Sequence, residues 1–281
     1  MIEKQEVLSW AKQWGLAPQI VEKDYVLSWV LKGISVHTAL QDSYVFKGGT
    51  CLKKCFFEHY RFSEDLDFTV LDETHMNIQV LLNFFTEIAE WIYEKSGIEI
   101  PKTGIYFEEF LTQKRGVAVE GRLSFRGPLK RQGDWARIKF DLTHHERLVF
   151  DPVKHPIFHP YSDELKATIK SYSLEEIFAE KLRALTERLR PRDLYDVISL
   201  FERKGHQAKP DQIAFCLKEK CDFKKIEPPK ITEILRRPEL QELEKEWSHM
   251  LSHQIKALLP YEHYLEKLPE VLDWVYQAKA S

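Results

Sequence analysis

The spacing of apolar residues divides the chain into a mixed region and a helical region. At the N-terminus two helix patterns are separated at Gly15 and resume near Pro18, which predicts two helices with a break between them. From residue 44 to about residue 150, short strand patterns alternate with helix patterns. After Ser173 apolar residues recur at three- and four-residue steps, so helices are predicted from there to the C-terminus.

The patterns assign particular segments to strands and helices. Helix patterns occupy CLKKCFFEHY at 51–60 and MNIQVLLNFFTEIAEWIYEK at 76–95. Strand patterns occupy YVFK at 44–47, DLDFTVL at 65–71, VAVEGRLSF at 117–125, ARIKFDLTH at 136–144 and RLVFD at 147–151. The sequence therefore predicts a domain of helices and strands over residues 1–172 and a helical domain over residues 173–281.

Composition argues against a disordered protein, a strongly basic nucleic-acid-binding protein and a membrane-spanning protein. The 281 residues are 43% hydrophobic and 30% charged, which is typical of a globular protein with one or two cores. Lys and Arg number 41 against 44 Asp and Glu, so any contact with nucleic acid must use a local basic patch. No basic-then-apolar leader and no bilayer-length apolar run is present, which predicts a cytoplasmic protein without membrane attachment. The four cysteines form no CxxC pair and are expected to be reduced and packed.

Two carboxylates share one face of the predicted strand DLDFTVL. Because side chains alternate across a strand, Asp65 and Asp67 lie opposite the apolar Leu66 and Phe68. Carboxylates at this spacing can converge on a hard divalent cation such as Mg²⁺. A polar outer face on an exposed edge strand would show the same pattern, so the neighbouring segments decide between the two interpretations.

The segment KGGT precedes this strand and follows another. Gly48 and Gly49 allow close approach of the backbone, and a helix N-terminus there would present N–H groups to phosphate, with the Thr50 hydroxyl as a further donor. The segment lacks the GK[ST] ending of a Walker A loop. Taken alone, two glycines before a helix are more often a plain turn.

A third carboxylate, Asp141, lies in the predicted strand ARIKFDLTH, on the face opposite Ile138, Phe140 and Leu142. Three aspartates on neighbouring strands could hold two cations, one activating a hydroxyl and one neutralising a departing pyrophosphate. Taken alone, an aspartate at such a position is more often a solvated strand residue.

The helical region contains a second candidate cluster. Lys181 falls inside the apolar stripe of SLEEIFAEKLRALTERL, so its ammonium either extends along the packed surface or contacts phosphate. In the next segment, RPRDLYDVISLF, Asp193 can stabilise a helix N-terminus and Arg192 can pair with Asp196. A direct catalytic role for these residues is as probable as capping and pairing.

The order strand, GG[ST], helix, hDhDh and a later strand with one Asp resembles the nucleotidyltransferases with a polymerase β-like fold. KGGTCLKKCFFEHYRFSEDLDF narrows the resemblance to the AbiEii family, nucleotidyltransferase toxins of the AbiE type IV toxin–antitoxin systems that are related to the MenT toxins. The segments EKDYVL at 22–27 and KLRAL…RPRDLYD at 181–196 extend the resemblance over about residues 20–200. It implies an α+β fold with N-terminal helices and a C-terminal helical bundle.

The resemblance also implies an activity: transfer of a nucleoside monophosphate from an NTP, with Mg²⁺ or Mn²⁺, to an RNA acceptor, the 3′ end of tRNA. The implied partners are this RNA and an AbiEi-like antitoxin encoded nearby. The implied catalytic residues are Asp65, Asp67, Lys181 and Asp193, and the implied metal ligands are Asp65, Asp67 and Asp141. The implied nucleotide-binding residues are Lys47, Gly48, Gly49, Thr50, Ser63, Arg188 and Arg192.

A basic patch could serve RNA binding by contacts to phosphate. Its members are Arg122, Arg126, Lys130, Arg131, Arg137, Lys139, Arg183, Arg188, Arg190 and Arg192. Two other functions stay open at this point. One keeps the fold but modifies a protein or a small molecule, and the other is a non-catalytic NTP-binding module.

Overall fold

The computed structural model describes residues 1–111, 117–133, 135–204 and 208–277. The chain divides into two compact units, which we call unit 1 and unit 2. Unit 1 comprises Met1–Glu146 and Pro152–Tyr172, and unit 2 comprises Arg147–Asp151 and Ser173–Ser281. Residues 205–207 and 278–281 of the predicted helical domain lie outside the described residues.

Unit 1 is built on a seven-stranded mixed sheet. Its strands are β1 Tyr44–Lys47, β2 Asp65–Val70, β3 Ile105–Leu111, β4 Val117–Phe125, β5 Ala136–Thr143, β6 Val153–Pro156 and β7 Thr168–Ser171. The order across the sheet is β3-β4-β5-β2-β1-β7-β6. β2 pairs with β5 in parallel and β1 with β7 in parallel, while the other neighbours are antiparallel.

Two long helices, α2 (Pro18–Val36) and α4 (Ile78–Ser96), cover one face of this sheet. A shorter helix, α1 (Lys4–Trp14), precedes α2. Gly15 ends α1 in the left-handed conformation at φ 66° and Pro18 begins α2, which confirms the predicted break. The Phe85 ring of α4 lies 4.9 Å from that of Phe140 on β5. Successive side chains of a strand point to opposite faces of the sheet. Because the apolar side chains face this core, the polar residues between them lie on the other face.

A short helix follows β1, and it ends earlier than predicted. Helix α3, Gly48–Cys51, continues as one π-helical turn at Leu52–Phe56, closed by a bond from the Phe57 N–H to the Leu52 carbonyl at 2.9 Å. The predicted helix over 51–60 is therefore wrong beyond residue 56. Both lysines of the turn, Lys53 and Lys54, are buried, and contacts of their ammonium groups inside unit 1 explain why a wider turn is stable here.

The segment 147–151 is not a strand, contrary to the prediction. The N–H groups of Val149 and Phe150 donate to the buried carboxylate of Glu176 at 3.0 and 3.1 Å. The same carboxylate accepts the Lys220 ammonium at 2.8 Å. A side chain thus satisfies the backbone donors that a neighbouring strand would have used.

Unit 2 is helical in its described part. Its helices are α5 Leu174–Glu187, α6 Pro191–Lys204, α7 Pro210–Lys224, α8 Ile231–Ile234, α9 Glu239–Leu251 and α10 Tyr261–Gln277. The Ser173 side chain caps α5 by accepting the Glu176 N–H, so the helix begins where the sequence predicted. Within the described ranges, no helix combines the length and apolar composition needed to cross a membrane. All four cysteines are buried and free.

Candidate active site

The polar face of the unit 1 sheet carries a row of charged residues across four neighbouring strands. Lys47 on β1 pairs in register with Asp67 on β2, Asp67 with Asp141 on β5, and Asp141 with Glu120 on β4. Asp65 lies on the same face two residues before Asp67. The parallel pairing of β2 and β5 therefore brings the three predicted carboxylates, Asp65, Asp67 and Asp141, into one neighbourhood.

The electrostatics of this row favour a cation. Packing around its carboxyl group raises the pKa of Asp141, and the charges of Asp65 and Glu120 raise it further, against the lowering effect of Lys139 and Lys47. Among the described residues, no group of three or more His, Cys, Asp or Glu side chains is arranged as a ready metal site. The donor chemistry nevertheless fits a hard cation, because adjacent carboxylate oxygens are the ligands it prefers.

Gly48 allows the backbone to reach this row. Its φ is +78°, and a Cβ added there would lie 2.1 Å from Oδ2 of Asp67. Any side chain at this position would therefore displace the Asp67 carboxylate, and the backbone conformation itself favours glycine. The glycine is required for the approach of the KGGT segment to the aspartate.

Gly49 lies against two side chains that precede β2. A Cβ added to it would be 2.7 Å from an Arg61 guanidinium nitrogen and 3.2 Å from the Ser63 hydroxyl. Arg61 is only 3% exposed, and the sequence analysis did not select it. A buried arginine two residues before Ser63 places a permanent positive charge beside the glycine pair. The signal in the sequence was an arginine four residues ahead of the first aspartate.

Thr50 and Lys47 have protein partners in this structure. The fully buried Thr50 hydroxyl donates to the Asp65 carbonyl oxygen at 2.5 Å, which ties the KGGT segment to the start of β2. The Lys47 ammonium donates to the Thr143 hydroxyl at 3.2 Å. Because a hydroxyl has one proton to donate, Thr50 positions the KGGT segment in this structure, and its predicted donation to nucleotide phosphate stays a prediction.

The EKDY segment of α2 holds four different parts of unit 1. Glu22 accepts the Leu129 N–H at 2.7 Å, and Lys23 forms an ion pair with Glu64. Asp24 receives the Lys54 ammonium at 2.6 Å. These contacts reach the turn after β4, the residue before Asp65, and the helical segment that begins with the glycine pair.

Tyr25 completes the set, since its hydroxyl donates to Asp163 at 2.6 Å. Asp163 also accepts the Trp29 indole N–H at 3.2 Å and contacts His159 at 2.9 Å. The EKDY segment therefore acts as a scaffold for the elements that carry the glycines and aspartates. The sequence analysis found this segment by resemblance and assigned no contact to it.

Unit 2 contains the second predicted cluster. The Lys181 ammonium lies 2.7 Å from Oδ2 of Asp196 and 3.4 Å from Oδ1 of Asp193. The Arg188 guanidinium binds both oxygens of Asp193, at 2.7 and 2.9 Å. The inward-facing lysine of the apolar stripe therefore has carboxylate partners from α6.

Charge compensation dominates this cluster. Burial acts to raise the pKa of Asp193, but Lys181 and Arg188 outweigh it and the pKa is lowered. Asp193 is 1% exposed, so it is a buried, ionised carboxylate. Leu189, between α5 and α6, has a φ of +42°, an unusual conformation for a residue with a branched side chain.

Other predicted residues are placed as follows. The Arg192 side chain is half-buried, and its Nε has no hydrogen-bond partner within the described part of the chain. Arg183, predicted to join an exposed basic patch, is instead 8% exposed and pairs with Glu187 at 2.8 Å. Because Arg183 is buried on α5, it does not belong to an exposed patch. Arg122, Lys130, Arg131, Arg137, Lys139, Arg188 and Arg190 are exposed, and Arg126 is half-buried.

The mixed sheet, the N-terminal helices and the helical C-terminal part confirm the predicted α+β fold, and the family comparison defines the class of protein as a nucleotidyltransferase. The chain belongs to the AbiEii family. The sequence model of that family, described as nucleotidyl transferase AbiEii toxin of a type IV toxin–antitoxin system, matches residues 29–277. This confirms the resemblance that the motifs indicated. The family consists of toxins that use an NTP as substrate.

Two solved structures are similar to this chain in fold. MenT4, a nucleotidyltransferase toxin from Mycobacterium tuberculosis H37Rv, has a TM-score of 0.55 and 18% identity and covers 99% of both chains. JHP933 from Helicobacter pylori has a TM-score of 0.52 and 17% identity and covers 94% of this chain and 92% of its own. The search of curated proteins found no match.

Proposed function

We propose that this chain transfers a nucleoside monophosphate from an NTP to the 3′ end of a tRNA and so blocks translation. The observation that carries the proposal is the contact of the KGGT segment with the aspartate row, where a Cβ on Gly48 would lie 2.1 Å from Oδ2 of Asp67. A backbone able to face phosphate thus lies beside a carboxylate able to bind a divalent cation.

The nucleotide would be held by the segment between β1 and β2. In this proposal Gly48 and Gly49 offer backbone N–H groups to the triphosphate, and Lys47 and Ser63 contact its oxygens. The buried Thr50 hydroxyl supports this role by fixing the segment to Asp65. Such a preorganised set of donors stabilises the charge that develops on the phosphates during transfer.

Asp65, Asp67 and Asp141 would hold Mg²⁺ or Mn²⁺. A divalent cation bound there would neutralise the pyrophosphate and favour the deprotonated acceptor hydroxyl. In the transfer, the acceptor oxygen would bond to the α-phosphorus, the bond from the α-phosphorus to pyrophosphate would break, and the hydroxyl proton would pass to solvent. The raised pKa of Asp141 supports this assignment, because the charges of Asp65 and Glu120 add to the effect of burial, and a cation would offset that negative charge.

Unit 2 would supply further groups for the same reaction. We assign Lys181 and Asp193 to catalysis and Arg188 and Arg192 to nucleotide binding. The ion pairs that join Lys181 and Arg188 to Asp193 support the assignment, because they fix both cations in orientation. Substitution of each residue tests these roles one at a time.

The partners would be the RNA and an AbiEi-like antitoxin encoded nearby. The exposed basic residues of β4 and β5, Arg122, Arg137 and Lys139, support contact with RNA phosphates. Membership of a type IV toxin–antitoxin family supports the antitoxin. The proposal also expects the protein to act in the cytoplasm, where tRNA and NTPs are present.

The test incubates purified protein with total tRNA, Mg²⁺ and each α-labelled NTP in turn. We expect one nucleotide to label tRNA at its 3′ end, and the label to fall at least a hundredfold in Asp67→Ala. The matched control is Asp42→Asn, which removes a carboxylate from the exposed surface of unit 1 and should leave labelling unchanged. EDTA should abolish labelling, and added Mg²⁺ should restore it.

Three results would contradict the proposal in different ways. Equal labelling by the wild type and Asp67→Ala would remove the aspartates from the reaction. Absence of label from tRNA, combined with label on a protein or small molecule, would replace the acceptor while keeping the enzyme class. Absence of label on every acceptor from a folded protein would favour an NTP-binding module without catalysis.

A further inference from the structure

A pocket of about 200 Å³ lies within unit 1, beside the π-helical turn that follows the glycine pair. The indole rings of Trp10 and Trp14 on α1 line it together with Phe158 and Pro160. These two indoles are neighbours, with ring centroids 4.6 Å apart and an interplanar angle of 31°. The pocket thus offers flat aromatic surface to a ligand, and none of the roles assigned so far uses it.

Asp24 lines the pocket, and one of its carboxylate oxygens has no hydrogen bond to the described part of the chain. Asp24 is 3% exposed, and its Oδ2 accepts from Lys54 at 2.6 Å and from the Tyr161 hydroxyl at 2.9 Å. Within the described part of the chain, its Oδ1 is buried and has no hydrogen bond. Lys54 and Lys53 outweigh burial and lower the pKa of Asp24, so the oxygen is an ionised acceptor. A buried acceptor of this kind is costly unless a donor is supplied.

A donor with unused capacity lines the same pocket. Lys53 is 7% exposed and donates to the Glu58 carbonyl oxygen at 2.5 Å, which uses one of its three N–H groups. Its ammonium lies 4.4 Å from the Phe62 ring and 5.5 Å from the Trp14 ring. Burial lowers the pKa of Lys53 to about 8, so it is still mainly protonated at neutral pH.

We propose that this pocket binds the base of a nucleoside, stacked on the indoles, with its amino or imino N–H donating to Asp24 and a ring nitrogen or carbonyl accepting from Lys53. Every nucleobase combines a flat face with donors and acceptors on one edge. The volume is smaller than the 300–1,000 Å³ typical of drug-sized ligands and suits a single heterocycle. The charges of Lys53, Lys54, Asp24 and Glu58 around the pocket balance, which suits a neutral ligand.

The site would be separate from the aspartate row while sharing an element with it. Lys53 and Lys54 are in the π-helical turn that continues α3, and α3 begins with Gly48. A ligand in the pocket would therefore contact one end of the segment whose other end approaches Asp67. The base can come from a free nucleoside or from single-stranded RNA, and both sources offer the same chemistry.

The test follows tryptophan fluorescence of the full chain during titration with adenosine, guanosine, cytidine and uridine. We expect saturable quenching by at least one nucleoside. For adenosine, N6,N6-dimethyladenosine is the matched ligand, because it keeps the ring but has no amino N–H for Asp24, and it should bind at least tenfold more weakly. A short single-stranded RNA that competes with the nucleoside would identify RNA as a source, and lack of competition would leave the free nucleoside.

Two variants separate this site from the proposed active site. Gln13→Trp enlarges an exposed residue at the pocket without removing a buried contact, and it should weaken nucleoside binding at least tenfold. Asp67→Ala should leave that binding unchanged while it abolishes nucleotide transfer. The inference is overturned if no nucleoside binds, or if binding survives Gln13→Trp and disappears in Asp67→Ala. Either result would leave the transfer reaction to be judged by its own assay.

Discussion

The two carboxylate clusters of this protein have opposite electrostatic character. In unit 1, packing and the neighbouring acids Asp65 and Glu120 raise the pKa of Asp141. In unit 2, Lys181 and Arg188 overcome a stronger burial and lower the pKa of Asp193. Both clusters consist of ordinary aspartates, so the difference comes from the charges that the fold places around them.

The cluster in unit 1 suits an external cation, whereas the cluster in unit 2 already contains its own lysine and arginine. The aspartate row of unit 1 would gain from added positive charge, which is the property expected of a metal site. The cluster of unit 2 is balanced by its lysine and arginine, which are thereby fixed in place. Four changes would break or sharpen this contrast.

The largest effect is expected from Lys181→Met in unit 2. The substitution leaves Asp193 and Asp196 buried without their shared ammonium, and removing one partner of a buried ion pair costs about 3–5 kcal/mol. Urea denaturation at pH 7 measures the loss of stability. Arg188→Gln is the control, because half of that side chain is exposed and its loss should cost much less. Equal losses would show that the cluster is not organised around Lys181.

Gly48→Ala should abolish most of the transfer activity. The added Cβ must displace the Asp67 carboxylate, and a misplacement of about 1 Å near reacting groups costs about a hundredfold in rate. Labelling of tRNA measures the effect. Gly97→Ala is a matched control, since φ at Gly97 is +73° and nothing lies within 4 Å of an added Cβ. Gly97→Ala should lose a little stability, because alanine is disfavoured at positive φ, and should keep full activity.

The stability that the Asp193 carboxylate contributes to the fold should depend on pH. Because the folded state lowers the pKa of Asp193 below its ordinary 3.8, its ionisation stabilises the fold above that value, and the contribution is lost as pH falls through the folded pKa. The wild type should therefore be more stable than Asp193→Asn at pH 7, and the difference should shrink at pH 3. A difference that does not change with pH would contradict the ionised state of Asp193.

The smallest effect is expected from Asp141→Asn. A raised pKa means that ionisation of Asp141 disfavours the fold above its ordinary value of 3.8, so the wild type loses stability as pH rises through that range. Asparagine should raise the melting temperature at pH 8 by about 1 °C, because solvent screens an exposed carboxylate, and should have no such effect near pH 3. Mg²⁺ should raise the melting temperature of the wild type more than that of the variant. A lower melting temperature at pH 8 would contradict the assigned shift.

Several helix boundaries could be predicted from the sequence because neighbouring residues determine them. The break at Gly15 and Pro18 follows from single residues, and the start of α5 after Ser173 follows from the spacing of apolar residues. The structure confirms both predictions. Strands β3, β6 and β7 were not predicted. β3 reads IYFEEFL, in which adjacent acids interrupt the alternation, and Tyr106 is exposed. β6 (VKHP) and β7 (TIKS) have four residues with one aliphatic side chain each, whereas the equally short β1 (YVFK) has three consecutive apolar residues.

By itself the sequence determined the family, the shared face of Asp65 and Asp67, and the inward position of Lys181, because side-chain period and motif order are properties of neighbouring residues. Only the tertiary structure decided that β2 pairs in parallel with β5 and sets Asp67 beside Asp141. It also decided that the Asp24 carboxylate binds Lys54 across 30 residues. Strand register and buried ion pairs depend on groups that are distant in the chain, and a local pattern carries no information about which of them meet.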